Sequence, residues 1–229
     1  MRTPTKFLGS KDFPVKIYKY MERKYAEELC NYGKIRVLGL RSYESDPGEG
    51  SLCCDIDQLS SKDVQHNSLG RDTILRNLDP AISGLESSPG SEFENCTIET
   101  CVPNWIVYCA STEKSHKTME ACDSRYDSCV EISNISGFVN QLTIQLAKVT
   151  KESGSIDSFA GYCTYLERNF PIRRSPPAQG VEIAFVKPPT FEAEHEYRIL
   201  WKVELEYGAA RFIESPEICK YCRLIEVPA

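Results

Sequence analysis

Glu194 and Glu196 flank His195, and Arg198 follows two residues on, so two carboxylates and a guanidinium fall at alternate positions of one short stretch. Side chains two apart on a strand share a face and lie about 6–7 Å from each other. Two acids this close oppose each other's ionisation, and one titrates high unless Arg198 or a cationic substrate offsets the repulsion. That coupling is a reason to look for chemistry here. The competing explanation is the solvent side of an amphipathic strand, where mixed charge is ordinary and contributes little stability. Two other groups of residues could serve the same site: the aromatic-cation-aromatic run Tyr18-Lys19-Tyr20, and the hydroxyl pair Ser111-Thr112. Those hydroxyls could orient a carboxylate or a ribose hydroxyl, although capping a following helix is the commoner use of such a pair.

The elements that would position these residues are legible from periodicity. From His195 to Leu205 the odd positions are mostly apolar, while Glu196, Arg198, Lys202 and Glu204 among the even ones are charged, the period of a half-buried antiparallel strand. Pro188 and Pro189 cannot continue a central ladder, so Thr190 to Ala193 is expected to be a loop that delivers Glu194 to the strand. The run WIVYCAS, Trp105 to Ser111, is continuously apolar and suits a buried central strand with Ser111 and Thr112 at its exit. Lys19 falls on a first strand, Val15 to Tyr20, followed by a helix from Met21 to Tyr32 that Gly33 stops, and by a strand from Lys34 to Leu40.

Further strands are expected over Cys129 to Ser133, Gly161 to Leu166, Val181 to Lys187 and Ala209 to Glu214, and further helices over Glu113 to Cys122, Ser136 to Lys151 and Pro216 to Leu224. Between about 45 and 100 the composition turns to DPGEG, SSKD and SSPGSE, which reads as a loop-rich insertion around one or two short helices, one of them over Asp72 to Leu85. The expected fold is a single α+β domain, 1–229, with a helical N-terminal part and a β-rich, mainly antiparallel C-terminal half.

Composition removes several function classes. The 229 residues carry a net charge of −6, and the 27 Lys and Arg form no basic run, which argues against a nucleic-acid duplex as an obligatory partner. No apolar run approaches a membrane span, and the N-terminal stretch lacks the apolar core of a signal peptide, so a soluble, cytoplasmic protein is expected. Eleven cysteines are an odd number, and Cys30, Cys109, Cys129 and Cys163 sit inside apolar segments, the pattern of reduced, buried thiols. A single CxxC, Cys219 to Cys222, and three histidines do not make a zinc framework, and two carboxylates without a third acidic motif make a poor metal cage, so no metal is expected. Glycine-rich dinucleotide, phosphate-loop and kinase signatures are absent.

The order of the remaining motifs, Lys19 on a first strand, Ser111-Thr112 on a middle one and Glu194-His195-Glu196 late in the chain, resembles the mono-ADP-ribosyltransferase superfamily. Its members carry Arg or His, Ser-Thr-Ser and Glu-x-Glu in the same order. This chain has Lys19 at the first position and Ser111-Thr112-Glu113 at the second. The segments YKYM, VYCAST, DSCVEIS, GYCTY and KPPTFEAEHEYRILW also look like an uncharacterised bacterial and phage-associated domain family of unknown function, a likeness that implies no activity.

The transferase resemblance implies a split antiparallel sheet and the transfer of ADP-ribose from NAD, used as a substrate, to a macromolecular acceptor, a protein rather than a nucleic acid. The setting would be bacterial, as an effector or toxin acting in the cell's own or a host cytosol. By that resemblance Glu196 stabilises the cationic ribose and Ser111 holds Glu196, while Glu194 orients or deprotonates the acceptor. Lys19 meets the diphosphate, Tyr20 stacks on the nicotinamide and Thr112 joins the nucleotide site. A different class remains open from the residues alone: a non-catalytic module of phage defence or signalling that holds a nucleotide or a protein in the same cleft.

Overall fold

The computed structural model describes residues 6–8, 14–42, 51–60, 92–150, 156–167, 169–171, 180–206 and 208–227, with the backbone alone described for 7–8, 51–60, 92–101 and 169–171. Strand β1 is Lys6–Leu8 and β2 is Lys16–Met21. Helix α1, Arg23–Tyr32, begins two residues later than its apolar spacing suggests, because Met21 still pairs with Ser128 in the sheet. Its inner face buries Ala26 and Leu29, and Gly33 closes it in the left-handed conformation, φ 65°, with its N–H returned to Leu29 O at 3.0 Å.

Beyond it come β3, Lys34–Gly39; β4, Ser51–Ser60; β5, Glu92–Cys101; and β6, Trp105–Ser111. Helix α2 is His116–Cys122, β7 is Ser128–Ser133 and helix α3 is Ile135–Thr150. The last part holds β8, Ser158–Tyr162; β9, Thr164–Tyr165; β10, Asn169–Pro171; β11, Val186–Lys187; β12, Glu196–Glu204; β13, Ala210–Glu214; α4, Pro216–Cys219; and β14, Cys222–Ile225.

Nine of these strands form one open sheet; seven run in the order β1-β8-β12-β6-β2-β7-β14, β3 and β13 branch from β6, and every pair is antiparallel except β1 with β8. The sheet forks at β6. On the edge away from β12, β6 pairs with β2 only through Ser111 and Tyr18, and with β3 only through Val107 and Ile106, which face Leu38 and Gly39; β3 carries β13 on its far side. Two prongs therefore leave one central strand, on either side of Cys109 and Ala110.

One face of the sheet is covered by α1 and α3, and the main core lies there: Ile17, Val37, Ile106, Val130, Phe138, Leu142, Ile199 and Trp201 are all buried. Trp201 is fully enclosed, and its indole N–H donates to Thr143 Oγ1 of α3 at 2.7 Å, which satisfies the one polar atom the ring brings inside. The opposite face packs Leu40, Val107 and Leu200 under a 3₁₀ segment, Gly180–Phe185. Among the described residues no helix is long and apolar enough to cross a membrane.

Several expectations are corrected. Residues 51–60 and 92–101 are not loops but a ten-residue antiparallel pair, to which β10 adds a third strand; the helix expected over Asp72 to Leu85 lies outside the described residues. Helices are not gathered in an N-terminal part. Among the described residues four strands, β3 to β6, separate α1 from α2, and the longest helix, α3, comes after residue 130. Val181 to Phe185 coils as 3₁₀, and only Val186–Lys187 is strand. The final helix stops at Cys219 because Cys222–Ile225 takes the open edge of β7 instead. Helix α3 starts at Ile135, where Asn134 Oδ1 accepts the Gly137 N–H at 3.1 Å in place of the expected Ser136 cap. The expectation of reduced thiols, by contrast, holds for the seven cysteines whose side chains are described, all of which are free.

Candidate active site

A cavity of about 520 Å³ opens at the fork, and it takes residues from the first, middle and late strands together. Lys19 and Tyr20 of β2, Ser111 of β6, and Glu194 and Glu196 all line it; Thr112 does not. Register explains the meeting: Ser111 sits opposite Glu196 on one side and opposite Tyr18 on the other. Alternation then puts Glu196 and Arg198 on the sheet face turned away from α3, while Tyr197, Ile199 and Trp201 enter the main core.

The charged row of β12 is a solvent face only at its end, where Lys202 and Glu204 are exposed. Every residue of the strand from Glu196 to Trp201 is buried, with Glu196 4% and Arg198 1% exposed. The short loop expected before it is a 3₁₀ turn, Pro189–Glu194, that ends at His195 in the left-handed conformation, φ 46°, so His195 precedes the strand. This kink separates the two acids. Glu196 stands in the ladder and Glu194 leans over the cavity from the turn.

Lys187, which sequence reasoning read only as the end of a strand, lies between them. Its ammonium donates to Glu194 Oε2 and to Glu196 Oε2, each at 2.6 Å, and sits 4.5 Å from the Phe191 ring centroid. Arg198 completes the group: Nε donates to Glu196 Oε1 at 2.7 Å and Nη1 to the Ala184 carbonyl. Both oxygens of Glu196 are thus engaged by cations, whereas Glu194 is engaged through Oε2. The signal that could have found Lys187 is its place just before the two prolines, seven residues ahead of Glu194, where a cation bound to the acids is brought back by the turn.

The two carboxylates are driven apart electrostatically. Burial pushes Glu196 up, but Arg198 and Lys187 outweigh it and hold its carboxyl well below the usual range. Burial also pushes Glu194 up; Lys187 opposes this and Glu196 adds to it, and the outcome is a raised value. Burial lowers Lys187, but the two acids overcome that and keep it firmly protonated. Pairs whose environments split them in this way are suited to different work in a reaction. The neighbouring thiols are not nucleophiles at neutral pH: burial raises Cys109, and raises Cys122 to about 12.

The other expected residues are placed differently from their assigned roles. Ser111 does not hold the Glu196 carboxylate; its hydroxyl donates to His195 O at 3.4 Å and accepts the Glu113 N–H at 3.1 Å, fixing the turn beside the acids. The Thr112 side chain donates to the same His195 carbonyl at 3.2 Å. Tyr20 is 2% exposed, packed against Met119 and Cys129, with its hydroxyl accepting the Ser115 N–H and donating to Glu113 O, so its ring offers no face to a ligand. Tyr18 and Tyr126, half-buried on the cavity wall, are the rings a planar group could meet.

Lys19 does remain at the cavity, its ammonium donating to Cys109 O at 2.8 Å and lying 5.2 Å from the Tyr108 ring centroid. That carbonyl stands in the gap between the two prongs, and Lys19 satisfies it there. Among the described residues no group of three His, Cys, Asp or Glu is placed to hold a metal ion. Compared with protein-family models, with curated proteins and with solved structures, the chain matches none.

Proposed function

We propose that the cleft binds NAD and transfers its ADP-ribose to an acceptor protein, as the order of motifs along the chain suggests. The observation that carries this reading is the pair of buried carboxylates of opposite electrostatic character on the wall of a cavity to which Lys19, Ser111 and both acids contribute. Its volume falls within the roughly 300–1,000 Å³ of small-molecule sites. Breaking the bond between nicotinamide and ribose develops positive charge on the sugar, and a fixed carboxylate in a low-dielectric site stabilises it. Nicotinamide leaves neutral, so the leaving group needs no general acid.

The geometry favours exchanging the two acids' roles. Glu194, whose Oε1 has no hydrogen-bond partner among the described residues, is the carboxylate able to face the ribose. Glu196 is a positioning residue that fixes Arg198 and Lys187, and Lys187 in turn fixes Glu194. The raised Glu194 is also the better base for the acceptor's proton once the sugar bond has broken.

A second reading, a nucleotide-holding module that does not cleave, has its own support: Lys187 already fills the position between the acids where a cationic sugar would be stabilised. The two are separated by incubating the protein with NAD labelled in the adenylate half, together with a protein mixture. Label that becomes covalently attached to protein supports transfer. NAD that binds and is recovered intact supports the module.

A further inference from the structure

The charges that line the fork do not balance. In a chain of net charge −6, the described lining residues of the cavity carry five cations against three carboxylates. Three cations have partners: Arg125 pairs with Asp123 at 2.6 Å, Lys187 with Glu194 at 2.6 Å, and Arg198 with Glu196 at 2.7 Å. The two left over are Lys19 and Arg36, and they come from the two different prongs, β2 and β3. Lys19 bonds only to an uncharged carbonyl. The Arg36 side chain makes no hydrogen bond or ion pair among the described residues, although its backbone stands opposite Phe212 in the β3–β13 ladder.

Their placement follows from the strands. On β3, Ile35 and Val37 enter the main core, so Arg36 and Leu38 turn to the other face, where both line the cavity. Leu38 is opposite Val107 and Tyr18 opposite Ser111. Continuing each register by two residues brings Arg36 of one prong and Tyr20 of the other level with Cys109. Arg36 thus faces the cavity from one prong, whereas Lys19, on the same face of β2 as Ile17, reaches the gap at the Cys109 carbonyl from the other; Glu194 and Glu196 lie beyond the fork at the β12 side, and Asp123 ends α2.

The geometry points to the fork as a binding subsite for the diphosphate bridge of a nucleotide, a dianion over its two phosphates, with Arg36 and Lys19 each supplying one positive charge. A concave surface of net positive sign on an acidic protein concentrates anions. Guanidinium and ammonium groups recognise phosphate oxygens by charge-assisted hydrogen bonds, the guanidinium bidentately. The ligand class is therefore a diphosphate-linked nucleotide, not an uncharged nucleoside. This deepens the NAD reading and rests on it for the ligand's identity, since a dinucleotide places such a diphosphate next to the ribose that Glu194 would meet. Arg36, not Lys19, is the leading partner, because Lys19 is held back on the Cys109 carbonyl.

Calorimetric titration with ADP-ribose, which keeps the diphosphate but cannot lose nicotinamide, tests the inference. Adenosine serves as the uncharged probe. Wild type binds ADP-ribose more tightly than adenosine, and its affinity falls as salt is raised. Arg36→Gln weakens ADP-ribose binding by about tenfold or more, as expected for loss of a charged hydrogen-bond partner. Lys220→Gln, which removes the same charge from an exposed site paired with Glu217, leaves it unchanged. Arg36 is exposed, so its variant keeps the wild-type melting temperature. ADP-ribose binding that is indifferent to Arg36, or equal affinity for adenosine, overturns the subsite. Nicotinamide release from NAD is measured on the same proteins. If release occurs with a KM that Arg36→Gln leaves unchanged, the subsite falls and the transferase reading stands. If binding depends on Arg36 but no nicotinamide is released, the subsite stands and the transferase reading falls.

Discussion

Glu194 and Glu196 are two residues apart in sequence and occupy opposite electrostatic situations, which makes their substitutions distinguishable. Glu196→Gln leaves Arg198 and Lys187 buried with one carboxylate between them, and breaking a buried pair from one side typically destabilises by about 3–5 kcal/mol. Glu194→Gln, at the cavity edge, disturbs one contact of Lys187 and has the smaller effect. Urea denaturation of both variants checks the order; equal losses would contradict the assignment of Glu196 as the fixing residue.

The pH dependence follows from the same pair. Glu196 is depressed below the ordinary 4.5, so its contribution is present above that value and is lost as pH falls through the folded-state value. Glu194 is raised, so it accepts its proton at higher pH without loss of folded stability. Acid unfolding of wild type is therefore expected below about pH 4.5, with a steep loss that Glu196→Gln flattens. The measurement is stability at a series of pH values from 7 to 3; parallel wild-type and variant curves would contradict it.

Much of this residue pattern was legible beforehand. The spacing of Glu194, Glu196 and Arg198 picked out the cluster, but the same spacing also suggested a solvent-facing row. The difference lies in Gly180–Phe185 and the turn after it, which cover that face of β12. Cover of that kind comes from distant residues and leaves no mark on the strand's own periodicity.

At the scale of elements, the strands that carry the site were read within one or two residues, because Trp105–Ser111 is continuously apolar and Lys16–Met21 and Lys34–Gly39 flank a helix with a glycine stop. Elements decided by a partner were missed. Cys222–Ile225 has helix-compatible residues and becomes a strand only because β7 offers an edge, and the 51–60 and 92–101 strands are polar segments that pair with each other. Gly33 shows how closely the prongs depend on the elements behind them. A Cβ at this position would lie 1.9 Å from the Ser215 carbonyl oxygen, in a backbone conformation already unfavourable to other residues. Gly33→Ala must displace the start of α4 from α1 and is expected to destabilise by more than about 1 kcal/mol. Thermal unfolding checks this, and a melting temperature equal to wild type would show that the junction yields freely.

Across the whole molecule, one sheet does two jobs. Its α3 side supplies the apolar core, and its other side, where β2 and β3 part from β6, supplies a charged cavity between otherwise well-packed strands. A fork exposes backbone acceptors and opens space without breaking the central β12-β6 ladder, so Lys19, Arg36, Glu196 and Arg198 are mounted on strands while Glu194 reaches in from the turn. The central claim is that this cavity cleaves NAD through Glu194. It is tested most directly by nicotinamide release from NAD by wild type and by Glu194→Gln, both shown by circular dichroism to be folded. The account predicts release by wild type and a rate about 10²–10³ lower for Glu194→Gln. No release by wild type, or equal release by the two proteins, would contradict it.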